Sequence, residues 1–290
     1  MRFPRIRRYN AEGMKMEVLR NIINEQLELL RLTLYVTTQG PLEYGGEMYT
    51  CSLSEEKVKT SQPIAMAAGQ TVNTLLKCSD WRGIPVRDLY PLARSCIESF
   101  INASFLLAED NAKAERAVRW VKYRAWKQQN RGVGSGKFAI HMFSDTPAPE
   151  EASEFTEKGA SREWSEYDTP TRLKRVGELA GGKAGSRLLA AYALVYATSS
   201  EIIHGSPYGV NYFYQAYLPP VPTVEDFRIA TQRQLEDLLC AVCHALAGYL
   251  SCSAKVLGLR QIYTAEQGIF NRLLAHEGVE LQTVEELAEA

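Results

Sequence analysis

The stretch Arg187-Leu-Leu-Ala-Ala-Tyr-Ala-Leu-Val-Tyr-Ala-Thr-Ser-Ser-Glu-Ile-Ile-His-Gly-Ser206 decides the fold class. Its apolar residues Leu188, Leu189, Tyr192, Val195, Ile202 and Ile203 recur at helical spacing. Tyr192, Tyr196, Ser200 and His204 stand four apart and so line one face. Gly205 and Pro207 stop the helix there. A histidine in the last helical turn, flanked by hydroxyls, is a proton-handling position, because the helix C-terminus favours the imidazolium. The competing reading is a capping histidine in a polar corner.

Upstream, Gly181-Gly182 separates this helix from a short one over Thr169–Ala180 that carries Arg172, Lys174 and Arg175. Residues 132–168 read as a long loop, rich in glycine at Gly132-Val-Gly-Ser-Gly136 and then in Glu and Ser. The glycines are no P-loop, since the Gly-Lys-Ser/Thr ending and the preceding strand are missing. Over 112–131 runs a basic helix bearing Lys113, Arg116, Arg119, Lys122, Arg124, Lys127 and Arg131, with Trp120, Tyr123 and Trp126 between them. Cations interleaved with rings suit phosphate contact and base stacking, with Arg116, Arg119 and Lys122 as substrate contacts. The alternative is a solvated basic face whose rings turn inward.

Val86–Asp110 reads as a strongly apolar helix interrupted at four-residue spacing by Arg94, Glu98 and Asn102. With apolar neighbours the Arg94–Glu98 pair is expected to be partly buried, and buried charges gather at functional sites. Earlier come a helix from Pro63 to about Cys78, a turn at Asp80–Pro85, turns with a short strand within 38–60, and a long helix from Gly13 to Thr37. Residues 1–12 form a basic, irregular arm. Downstream, Pro207–Pro222 reads as an aromatic loop, followed by a long helix to Gly258, a last helix over Thr264–His276 and an acidic tail.

Period-two alternation is almost absent, so the architecture is all-α. The expected division is an N-terminal part over 1–62, a helical domain over 63–258 and a C-terminal helix and tail over 259–290. A net charge of −1 names no partner, and 46% hydrophobic with 23% charged residues is ordinary for a globular chain. The sequence has no uninterrupted apolar run of about 20 residues and no signal-peptide core. Six scattered cysteines, four in apolar helices, suit buried thiols in the cytoplasm better than disulfides. Cys240, Cys243 and His244 lack a second ligand cluster, so no metal and no cofactor are expected.

The pairing of Arg94-Ser-Cys-Ile-Glu98 with Ser200-Glu-Ile-Ile-His-Gly-Ser206 resembles the HEPN superfamily (higher eukaryotes and prokaryotes nucleotide-binding). More narrowly, it is similar to bacterial members linked to abortive infection. The resemblance covers about Pro63 to Leu250 without the loop after Arg131, and its motifs are short. It implies a helical bundle that often dimerises and, in active members, a metal-independent ribonuclease site built from Arg and His. By that resemblance Arg94, Glu98, Ser200 and His204 are the catalytic candidates. Asn102, Ser206 and Tyr196 join the basic residues as substrate contacts. RNA is the expected substrate, with a second copy or a defence-system protein as partner and no membrane. The chain departs from the usual signature, in which Arg precedes His by four to six residues: Ala197, Thr198 and Ser199 stand there instead. Two functions follow: a toxin-type ribonuclease of anti-phage defence, or a non-catalytic helical module that binds nucleic acid, nucleotide or protein.

Overall fold

Seventeen consecutive residues, Leu238–Ala254, are buried on every side, and the other helices assemble around them. They belong to α8 (Val224–Leu257), which packs against α1 (Arg5–Thr38), α3 (Leu89–Ala108), α6 (Gly182–Ile203) and α9 (Arg260–His276). The computed structural model describes residues 5–80, 86–144, 146–156, 163–214 and 220–278, with side chains from Met16 onward. A helix that is apolar all round must lie inside. By length and composition α8 is apolar enough to cross a membrane, but 83% of its apolar window is covered by the other helices.

Three further helices lie in the outer layer. α2 (Glu55–Ser79) lies on α3, α4 (Asn111–Gln129) lies on α2, and α5 (Thr169–Ala180) fills the angle between α3 and α6. The α5–α3 contact is pinned by Arg175, whose guanidinium grips the buried Glu109 carboxylate with two bonds at the C-terminus of α3. One hydrophobic cluster runs from Met16 to Leu273, so α1 and α9 share the core of the central helices. Among the described residues the chain is all-α apart from two small antiparallel hairpins: β1 (Leu42–Tyr44) with β2 (Glu47–Tyr49), and β3 (Arg131–Ser135) with β4 (Phe138–Met142).

Several boundaries differ from those expected. α2 begins at Glu55 rather than Pro63, because Ser54 caps it by accepting from the Lys57 amide at 3.3 Å. Pro63 is tolerated inside this helix. The N-terminal arm is helical from Arg5, and the last helix starts at Arg260. The expected loop over 132–168 contains the β3–β4 hairpin and a 3-10 turn at Glu150–Phe155. The aromatic loop after His204 contains a helix, α7 (Pro207–Tyr214). The turn at 81–85, residues 215–219 and the acidic tail beyond 278 lie outside the described residues. All six cysteines are free, and Cys96, Cys240, Cys243 and Cys252 are buried.

Candidate functional site

α3 and α6 run antiparallel. Arg94 meets Tyr196, Glu98 lies near Tyr192, and Tyr90 at the start of α3 packs edge-on to Phe213 of α7, which follows α6. Along this seam a polar row from α3 faces a ring stack from α6. The Arg94 Nε donates to Glu98 Oε1 at 3.0 Å, one helical turn away, and its guanidinium carbon sits 4.4 Å from the Tyr196 ring centroid. Such a stack holds a cation by the ring's negative face, worth about 0.5–2 kcal/mol. Tyr196 stacks on Tyr192 with centroids 4.3 Å apart. Burial, the hydrogen bond with Tyr196 and the nearby Glu98 carboxylate push the Tyr192 phenol up to about 12.

A second guanidinium approaches from α5. Arg172 lies 5.4 Å over Trp164 and donates to Thr169 Oγ1 at 2.8 Å, and Glu98, Asp168 and Glu163 act on its charge. Burial lowers its pKa from the ordinary value, and the carboxylates oppose that shift. Glu98 therefore serves Arg94 directly and Arg172 through space. Replacing Glu98 with Gln should cost about 1 kcal/mol in urea unfolding, because the pair is only partly exposed, at 19% and 36%. A change below a few tenths would show that solvent already screens it.

The other end of α6 is built differently. Gly205 takes a left-handed φ of +63°, its amide donates to Ile202 O, and the Ser206 amide donates to Glu201 O. This is the Schellman arrangement, and it leaves the preceding residue, His204, exposed at the helix end. Ser206 bonds the Glu201 carboxylate and accepts from the Gly209 amide at 3.1 Å, so its hydroxyl starts α7. The Ser200 carbonyl accepts from the His204 amide at 3.1 Å. Arg94, Glu98 and Tyr196 are thus brought together. His204 lies eight residues past Tyr196, about 12 Å along the helix.

Asn102, one turn beyond Glu98, lines a cavity between α2, α3 and α4. The basic residues of α4 meet the segment that follows the β3–β4 hairpin. Arg116, which is buried, bonds Glu154, Arg119 donates to Glu154 Oε1 at 2.7 Å, and Lys122 bonds Glu151. Tyr123 and Phe155 stack beneath them, with Trp120 and Trp126 packed alongside. Among the described residues no group of three or more His, Cys, Asp or Glu side chains could hold a metal ion. Sequence reasoning overlooked Arg172 and Trp164 as parts of the seam. Their local pairing does not reveal the link to the seam, because Glu98 lies on α3.

The chain belongs to the family described as Family of unknown function (DUF5677), whose model matches residues 70–216. That span runs from the middle of α2 through α7 and so holds both the Arg94 row and the His204 helix end. No curated protein and no solved structure matches the chain.

Proposed function

We propose that this chain is a cytoplasmic, metal-independent endoribonuclease, a toxin-type effector of bacterial defence against phage that works as a dimer. One observation carries the reading: Arg94 is held against Tyr196, on the same helix that ends in the exposed His204. In the proposed step the RNA 2′-oxygen loses its proton to His204 and attacks the adjacent phosphorus. The bond to the 5′-oxygen breaks, and that oxygen takes a proton from the protonated His204 of the second copy. A guanidinium stabilises the charge building on the phosphorane, with Arg94 supplying its planar fork and Glu98 orienting it. Products are a 2′,3′-cyclic phosphate and a 5′-hydroxyl.

The 12 Å offset within one chain calls for a second copy. From Leu188 to Ser200 α6 bears no charge, and its outward residues Leu189, Ala193, Leu194 and Ala197 are exposed. An outer helix face of this composition favours a partner over water. Two α6 helices crossing antiparallel about Ser200 would set each His204 opposite the other copy's Tyr196.

The test is expression followed by chemistry. Wild-type protein should arrest bacterial growth, while His204→Ala and Arg94→Ala should not. Purified protein should cleave structured RNA in chelator and leave 2′,3′-cyclic phosphate ends. Wild type without cleavage, or His204→Ala cleaving as wild type does, overturns the proposal. The engaged state of Arg94 and the carboxylates matched to α4 favour a second reading, a non-catalytic binding module. RNA retained without cleavage, with growth unaffected, would select it.

A further inference from the structure

The cavity reached by Asn102 has a volume of about 700 Å³, and its walls are mostly apolar: Ile64 of α2, Leu106 of α3, Val118 and Val121 of α4, and the two indoles Trp120 and Trp164. That size falls within the range of small-molecule sites, which are typically apolar with a few placed polar groups. Lys59, Lys122 and Arg124 stand at its edge as exposed side chains. Lys59 pairs with Glu55 and Lys122 with Glu151, while Arg124 lies 5.0 Å over the Trp120 ring.

Two buried atoms on the lining residues have no hydrogen-bond partner: the acceptor Asn102 Oδ1 and the donor Trp120 Nε1. Leaving a buried polar atom unpaired costs about 1–3 kcal/mol. A third polar group comes from the backbone. Pro63 has no N–H, so the carbonyl of Lys59 loses its usual donor on the turn of α2 that faces the cavity. The residues that carry these three groups thus line one apolar space flanked by two indoles.

We infer that this cavity binds a planar aromatic small molecule that carries an N–H donor for Asn102, an acceptor for Trp120 and an anionic substituent that reaches the Lys59, Lys122 and Arg124 edge. Seating it involves a small rotation of the Asn102 amide and the Trp120 ring, since both atoms are covered in their present rotamers. The site shares Trp164 with the α3–α6 seam but does not depend on the ribonuclease reading.

The probe is 8-anilinonaphthalene-1-sulfonate, which combines aromatic rings, an N–H donor and a sulfonate. Calorimetry on the folded full chain should show saturable binding of one probe per chain, with fluorescence transfer from tryptophan. Asn102→Leu should weaken binding at least ten-fold, and Val118→Phe, which fills the space, should abolish it. The neutral analogue N-phenyl-1-naphthylamine should bind at least ten-fold more weakly than the sulfonate. Absent binding, non-saturating binding, or affinity untouched by both variants overturns the inference and places the dye on exposed apolar surface such as Phe138 and Phe143. Equal affinity for the neutral analogue overturns the anionic requirement. Either variant, judged folded by its unfolding transition, is sufficient for the comparison.

Discussion

Arg187→Met is expected to lower the unfolding free energy by about 3–5 kcal/mol at neutral pH, the usual cost of stranding one member of a buried ion pair. Arg187 on α6 is 6% exposed, and its partner Glu266 on α9 is fully buried. The guanidinium donates to Glu266 Oε2 at 2.7 Å, to Ser251 Oγ on α8 at 2.5 Å and to Gln267 Oε1 at 3.2 Å. It also sits 3.7 Å over the Phe270 ring. One side chain thereby ties three helices. Burial already holds the Glu266 carboxyl above its ordinary range, with Arg187 as the main opposing influence. Without Arg187 it rises further.

A carboxyl raised in the folded state contributes stability that is complete below its unfolded pKa, about 4.3, and is lost as pH rises through the folded value. The deficit of the variant against wild type should therefore be largest near pH 7 and shrink as pH falls toward 4.5. Paired urea-unfolding curves at several pH values measure this. A deficit under 1 kcal/mol at pH 7, or one that grows on acidification, would refute the account. Arg187→Met combined with Glu266→Leu should recover most of the loss, because no charge is then left inside.

Gly185→Val should cost about 3 kcal/mol or more, at the upper end of overpacking penalties. A β-carbon at Gly185 would lie 2.6 Å from Gly177 Cα and 2.9 Å from Gly177 N. Those are backbone atoms of α5, so no rotamer change relieves the overlap, and α5 must move off α6. The seam would move with it, because Arg172 and Gly177 share α5. Gly177→Ala offers the contrast: its β-carbon would meet Gly185 Cα at 3.6 Å, an ordinary contact. That variant should be neutral or gain up to about 1 kcal/mol from helix propensity. Thermal unfolding of the two variants, with near-ultraviolet circular dichroism, tests the pair. Equal stability would mean that α5 floats on α6.

Most of the helices were legible because their apolar residues recur at 3.6-residue spacing, as in α3, where Ala93, Ile97, Phe100, Ile101 and Phe105 face inward. Misreadings came where local chemistry and tertiary context disagree. Pro63 looks like a helix start, yet Ser54 supplies the real one nine residues earlier, at the head of a polar stretch. Phe138-Ala-Ile-His-Met142 alternates as a strand should, but it hides behind three glycines that suggest a loop. In the seam, Arg94 and Glu98 were legible as an i,i+4 pair, and Tyr192 with Tyr196 as another. That the two pairs meet is a matter of helix packing, which leaves no periodic mark. The same holds for α4, whose cations looked available until the acidic turn around Glu151 and Glu154 closed on them.

The enclosure of α8 has a consequence for synthesis. Gln26 donates to Cys243 O at 3.1 Å across 217 residues, and Cys252 lies against Ser104 across 148. As the chain leaves the ribosome, the greasy inner sides of α1, α3 and α6 wait without their shared neighbour until about residue 257 has emerged. A nascent chain halted before that point holds sticky, half-covered surface, the kind of intermediate that chaperones recognise.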